Sequence, residues 1–134
     1  MIYTSFTDGG SRNNPGPAGI GGVLYDDKGV LVDEVSEYIG TATNNEAEYR
    51  AIIEILKKAL KHGAREINCF LDSELVVKQV KGEYRVKHER LQELFSELNH
   101  VANQFEKITF THVLRERNKE ADKRVNRALD AAGF

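Results

Sequence analysis

The chain opens on strict alternation: Ile2, Thr4 and Phe6 fall on one face and Tyr3, Ser5 and Thr7 on the other. This period of two marks a half-buried strand. The strand is predicted to end on Asp8, because glycines, an asparagine pair and both prolines of the chain follow up to Gly19. Residues 20–25 are followed by Asp26-Asp27-Lys28-Gly29 and by Val30-Leu31-Val32, a second arm that runs on through Val35 to about Ile39, which predicts a hairpin. Three strands joined by short turns imply an antiparallel start. Residues 40–45 read as a loop ending in capping residues.

The period then lengthens. Ile52, Ile55, Leu56, Ala59 and Leu60 form a helical stripe, predicting a helix from about Asn45 to His62 that Gly63 closes. Residues 66–71 are the next strand, ending on Asp72, and residues 73–80 are a short helix. After a break at residues 81–84, Leu91, Leu94, Phe95, Leu98, Val101 and Ala102 predict a long helix over residues 86–104. Residues 107–114 alternate as a fifth strand. A polar connection leads to a last helix from near Asn118, with Ala121, Val125, Ala128, Leu129 and Ala132 inward. Strand, helix and strand in that order imply a right-handed crossover and parallel pairing. Such pairing would seat Asp8 beside Asp72 at the rim of the sheet, where sites usually form.

Against this pattern, acids stand out. An isolated Asp-Gly is ordinary turn chemistry, but three more carboxylates sit at inward positions. Glu48 lies four residues before Ile52, on the apolar stripe, whereas Glu46 aligns with Arg50 and Glu54 on the polar face. An unpaired carboxylate on a core-facing stripe is costly, so a salt bridge, a metal or a substrate would each account for Glu48. Asp122 lies three before Val125 and seven before Leu129, on the inward side of the last helix. Asp8, Glu48, Asp72 and Asp122 repel one another unless protons or a cation intervene. Oxygen-only ligands suit Mg²⁺ or Mn²⁺, while Cys69 and the four histidines show no zinc-ligand spacing. Two such ions support phosphoryl transfer. A glycosidase needs only two acids.

Composition adds bounds. A chain of 134 residues, 40% hydrophobic and 30% charged, fits one globular domain, residues 1–134. No apolar run approaches the ~20 residues of a membrane helix. A polar N-terminus without a secretory pattern and a lone Cys69 in an apolar strand lead us to expect a cytoplasmic protein with no membrane contact. Nothing demands more than a monomer. Net charge is −2, so nucleic-acid binding needs local patches. Residues 78–90 carry five basic against two acidic residues, and residues 115–127 six against three.

Four segments together carry a family resemblance. They are Thr7-Asp8-Gly9-Gly10-Ser11 with Asn14-Pro15-Gly16-Pro17-Ala18-Gly19, Thr43-Asn44-Asn45-Glu46-Ala47-Glu48-Tyr49, Leu71-Asp72-Ser73-Glu74-Leu75-Val76, and Arg117-Asn118-Lys119-Glu120-Ala121-Asp122. In this order, across essentially the whole chain, they resemble type 1 ribonuclease H. The resemblance implies an α/β ribonuclease H-like fold. Its five-stranded mixed sheet, first three strands antiparallel, is flanked by helices in the order βββαβαβα, with room for one extra short helix. It implies an endoribonuclease that cuts the RNA strand of RNA–DNA hybrids with two Mg²⁺ ions and leaves 3′-hydroxyl and 5′-phosphate ends. Asp8 would bridge the ions, Glu48 and Asp72 would complete one, and Asp122 the other.

By the same resemblance Asn14, Asn45 and Glu74 would contact the hybrid in its minor groove. Thr43 and Asn44 would hold the phosphate and groove edge of the DNA strand. Each also has an ordinary reading as a turn or cap former. The loop before the last helix lacks the histidine of many members, its shortness resembles archaeal-type members, and Glu74 stands where glutamine is common. The tryptophan-bearing basic protrusion and the N-terminal hybrid-binding domain of some members have no counterpart, which implies modest hybrid affinity. A nuclease of the same fold acting on another substrate, such as double-stranded RNA or a DNA junction, and a catalytically idle hybrid-binding module are the competing expectations.

Overall fold

The structure is a computed structural model that describes residues 1–134. Its strands are β1 (Ile2–Ser11), β2 (Gly16–Tyr25), β3 (Leu31–Ala42), β4 (Glu66–Leu71) and β5 (Lys107–His112). Its helices are α1 (Asn44–Lys61), α2 (Glu74–Val80), α3 (Glu89–Ala102) and α4 (Lys119–Ala131), with one 3₁₀ turn over Arg115–Arg117. The sheet order is β3-β2-β1-β4-β5. The first three strands are antiparallel, while β1–β4 and β4–β5 are parallel, as the strand–helix–strand order requires.

The first hairpin departs from the sequence reading. β1 runs three residues past Asp8, pairing Asp8 with Gly21, Gly9 with Ile20 and Ser11 with Ala18. Glycines that read as loop are held extended by the ladder they share with β2, so long-range pairing overrides local composition. The predicted loop at residues 40–45 is likewise shorter, because β3 continues to Ala42. The long helix begins at Glu89, and Val86 is buried ahead of it with its carbonyl accepting from Gln92 Nε2. β5 ends at His112, two residues early, and leaves Leu114 exposed.

Two glycines fix the layers. A Cβ on Gly9 would run into the Ala47 carbonyl and lie 2.5 Å from the Glu48 amide nitrogen, so α1 presses directly on that face of β1. A Cβ on Gly21 would strike the Ala121 carbonyl and lie 2.7 Å from the Val125 nitrogen, so α4 presses on the opposite face. Residues paired across a ladder share a face, which puts Asp8 with Gly21 on the α4 side. The main core lies on the α1 side, where Tyr49, Ile52, Leu56, Ile67, Leu71 and Leu98 are almost wholly buried. On the α4 side, Phe6 stacks on Phe70 at 5.1 Å and meets Tyr25 edge-on at 6.3 Å, beside a hollow bordered by the start of α4. No helix is long and apolar enough to cross a membrane.

Candidate functional site

Parallel pairing sets Thr7 opposite Leu71, and the next residue on each strand is a carboxylate. Asp8 and Asp72 are therefore brought together, as the crossover implied. The third acid arrives from α1. Thr43 caps this helix by accepting from the Glu46 amide at 3.1 Å, and Glu48 lies in the second turn, on the inward face. Because Gly9 carries no side chain, the start of α1 sits against β1 and Glu48 reaches Asp8. Ligand oxygens of Asp8, Glu48 and Asp72 all lie within 4.8 Å of one another. Asp8 is 8% exposed and Glu48 7%. Glu46 is half-buried rather than fully solvated, beside Thr43 and 3.8 Å from Arg90.

Asp122 lies apart from these three, more exposed, with its Oδ1 3.8 Å from the Arg115 guanidinium. It lines the same cleft, a space of about 460 Å³ that all four acids share with Asn44, Arg12 and Arg115. Burial is the main reason the inner acids resist ionising. It pushes Asp8 up to about 7, helped by the charges of Asp72 and Asp122, while a hydrogen bond with Glu48 and the Gly9 amide at 2.9 Å pull the other way. Burial also raises Glu48 strongly, with Asp8 adding to it, and raises Asp72 against the neighbouring Asn118 amide and the charge of Arg115.

One Glu48 oxygen, Oε2, is buried without a hydrogen-bond partner. A buried, unsatisfied carboxylate oxygen amid two further acids fits a hard divalent cation, which removes both the repulsion and the orphaned acceptor. The donor set is oxygen alone. Cys69 is no rival, since burial pushes its thiol up to about 12.

A pH dependence follows. Asp8 titrates near 7 when folded and near 3.8 when unfolded, so between these values the metal-free fold holds a proton that the unfolded chain has lost. That contribution is present at low pH and is lost as pH rises through 7. The rise in thermal midpoint on adding Mg²⁺ is therefore expected to be small at pH 5 and to reach its full size, several degrees, above about pH 7. Differential scanning fluorimetry across that range checks it. An Mg²⁺ effect of equal size at both ends would sink the idea.

The predicted nucleic-acid contacts divide. Asn44 and Asn14 interlock at the cleft edge: Asn44 Oδ1 accepts from the Ser11 amide at 2.8 Å and from Ser11 Oγ at 3.2 Å, while Asn14 Oδ1 accepts from the Asn44 amide at 3.0 Å. Thr43 and Asn45 flank them at the start of α1. Glu74 is elsewhere. It pairs with Lys78 at 2.9 Å beside a separate hollow that also touches Lys81 and His112. The basic cluster at residues 115–127 is smaller than it reads, because Arg124 is buried and paired with Glu34 and Glu120, both at 3.0 Å. Sequence reasoning also missed Asn118, which lies buried beneath the acids and donates to the Thr7 carbonyl at 2.8 Å.

Comparison with known proteins agrees with this arrangement. Residues 6–128 match the family described as reverse transcriptase-like. A bifunctional protein of Mycobacterium tuberculosis is 47% identical over 126 residues, 93% of this chain but 35% of its own. The solved N-terminal RNase H domain of that protein superposes with a TM-score of 0.94 at 43% identity, covering 97% of this chain and all of that domain. Ribonuclease HI of Halobacterium salinarum is 40% identical over 96% of this chain and 64% of its own length. Its crystal structure gives a TM-score of 0.94, with 98% and 99% of the two chains covered. An RNase H1 isolated from compost, crystallised with an RNA/DNA hybrid, is 43% identical with a TM-score of 0.91, covering 97% of this chain and 98% of that one. The chain thus spans about a third of the mycobacterial relative and about two thirds of the halobacterial one. With a family match over most of its length and solved ribonuclease H domains superposing on nearly all of it, the chain belongs to the type 1 ribonuclease H family.

Proposed function

We propose that this chain is a metal-dependent endoribonuclease that hydrolyses the RNA strand of RNA–DNA hybrids, leaving 3′-hydroxyl and 5′-phosphate ends. The observation that carries the reading is the trio Asp8, Glu48 and Asp72, gathered within 4.8 Å with Asp8 and Glu48 buried, and Asp122 lining the same cleft. A protein that only bound nucleic acid would gain nothing from acids that repel phosphates. Asp8, Glu48 and Asp72 would hold one Mg²⁺ or Mn²⁺ ion, and Asp8 with Asp122 a second. Bound ions of this kind activate a water and stabilise the leaving oxygen. The three-plus-one spacing of the acids supports that division.

The groove contact has a definite polarity. With the carbonyl oxygens of Asn44 and Asn14 engaged by protein donors, the N–H₂ group of each amide is left without a protein acceptor. Donors of this kind meet 2′-hydroxyl oxygens and the acceptor atoms of a minor groove, which distinguishes RNA-containing duplexes without reading sequence. The halves of the site then have separate tasks. Amides at the start of α1 hold the duplex, and the acids at the ends of β1 and β4 hold the ions.

The test is cleavage of a labelled RNA–DNA hybrid in Mg²⁺, beside double-stranded RNA, single-stranded RNA and double-stranded DNA. The expected result is a cut RNA strand, an intact DNA strand and no cutting of either single-stranded RNA or double-stranded DNA. Comparable cutting of double-stranded RNA would widen the substrate class. Retained hybrid binding with no cleavage in Mg²⁺ or Mn²⁺ would overturn the reading in favour of an idle binding module.

A further inference from the structure

We propose that Asn118 is a positioning residue that sets the spacing of the carboxylates, and so the metal affinity of the site; the kinetic part of this inference rests on the hybrid-cleaving reading above. Asn118 stands immediately before α4, where asparagine ordinarily turns its side chain back to cap its own helix. Here it makes no side-chain cap. Its amide points inward instead, with the residue only 1% exposed, and Nδ2 donates to the carbonyl of Thr7 at 2.8 Å, 111 residues away in sequence.

The address of that bond is the point. Thr7 immediately precedes Asp8 and lies opposite Leu71, which immediately precedes Asp72. Meanwhile the Asn118 carbonyl accepts the amide of Asp122 at 3.1 Å, one turn into α4. A single residue thereby ties the backbone beside Asp8 to the helix that carries Asp122. The same side chain also stands beside the Asp72 carboxyl. A residue serving only the fold would have no reason to forgo its own cap in favour of this junction, with its Oδ1 left buried and unpartnered.

Groups that orient metal ligands from outside the coordination sphere typically change metal affinity or activity by 10- to 100-fold when removed. Asn118→Ala is therefore expected to weaken Mn²⁺ binding, measured by calorimetry without nucleic acid, by roughly tenfold or more. On the hybrid, kcat at fixed Mg²⁺ should fall by a similar factor, recover partly as Mg²⁺ is raised, and leave KM within about threefold. Arg124→Ala is the comparison for a purely structural loss. It removes the buried polar side chain of α4 itself and should lower the thermal midpoint without changing Mn²⁺ affinity.

Wild-type Mn²⁺ affinity in folded Asn118→Ala, or an activity loss that merely tracks stability as in Arg124→Ala, would overturn the proposal. If the alanine variant does not fold, Asn118→Leu keeps roughly the volume, removes both N–H donors without adding a charge, and carries the same comparison. Calorimetry keeps the two readings separable. A wild-type protein that binds Mn²⁺ but leaves hybrids intact refutes the activity while still testing Asn118.

Discussion

Asp8→Asn is expected to abolish hybrid cleavage, by roughly three orders of magnitude or more, while the protein stays folded and still binds the hybrid. The size follows from what a bound ion contributes, several kcal/mol of transition-state stabilisation at about 1.4 kcal/mol per tenfold in rate. Asp8 sits on the central strand, between Glu48 from the helix above and Asp72 from the parallel strand beside it. No other acid adjoins both. Asparagine has the same shape, and its Oδ1 can keep the bond from the Gly9 amide at 2.9 Å. What disappears is a charge that burial holds back until about pH 7.

Without metal, that loss relieves the fold. At pH 8 the metal-free Asn variant should therefore melt several degrees above the wild type, and the stabilisation by Mg²⁺ should largely vanish. Hybrid affinity in the absence of metal should hold or rise, because one negative charge facing phosphate has gone. Three measurements check this: cleavage rate, thermal midpoint with and without Mg²⁺, and a hybrid gel-shift. An Asn variant that cuts within tenfold of the wild type would remove Asp8 from the chemistry.

Much of this site was legible because acids are conspicuous on apolar patterns. The helical stripe through Ile52, Ile55 and Leu56 separates Glu48 from Glu46 with no structural knowledge, and only Glu48 joins the cluster. Asp72 at the end of an alternating strand, followed by a short helix, implied the parallel neighbour of Asp8 that the sheet contains. The continuation of β1 through Gly9, Gly10 and Ser11 was not legible. Those residues favour loops when taken locally, and only the ladder to β2 holds them extended.

The remaining misses are of one kind. Asn118 reads only as the start of the last helix, and Arg124 as one more cation in a basic cluster, because local sequence cannot say which polar groups are taken inward. Asn118 is spent on Thr7, and Arg124 on Glu34 and Glu120. The reach of α4 was equally hidden. The face bearing Phe6 is covered near Asp8 and left half-exposed at Phe6 itself, a division that alternation alone does not predict.

Gly9→Ala carries the second large expectation, because the site depends on a close approach that no side chain permits. A methyl group there would overlap the Ala47 carbonyl and sit 2.5 Å from the Glu48 amide nitrogen. Both are main-chain atoms in the first turns of α1, so no rotamer change relieves the clash. The helix and the strand must separate by roughly an ångström to restore ordinary contact. Separation costs packing, about 3 kcal/mol or more for an overpacked site that cannot relax. It also carries Glu48 away from Asp8, and a displacement of about 1 Å at reacting groups costs on the order of 10² in rate. Gly10→Ala is the matched control. Its Cβ would meet only side-chain atoms, 3.9 Å away, so the thermal midpoint should barely move. The expected outcome is a drop of roughly 10 °C for Gly9→Ala and little change for Gly10→Ala, with metal binding weakened only in the former. A Gly9→Ala protein with wild-type midpoint and wild-type Mn²⁺ affinity would mean that α1 does not sit against β1 as closely as the carboxylate cluster requires.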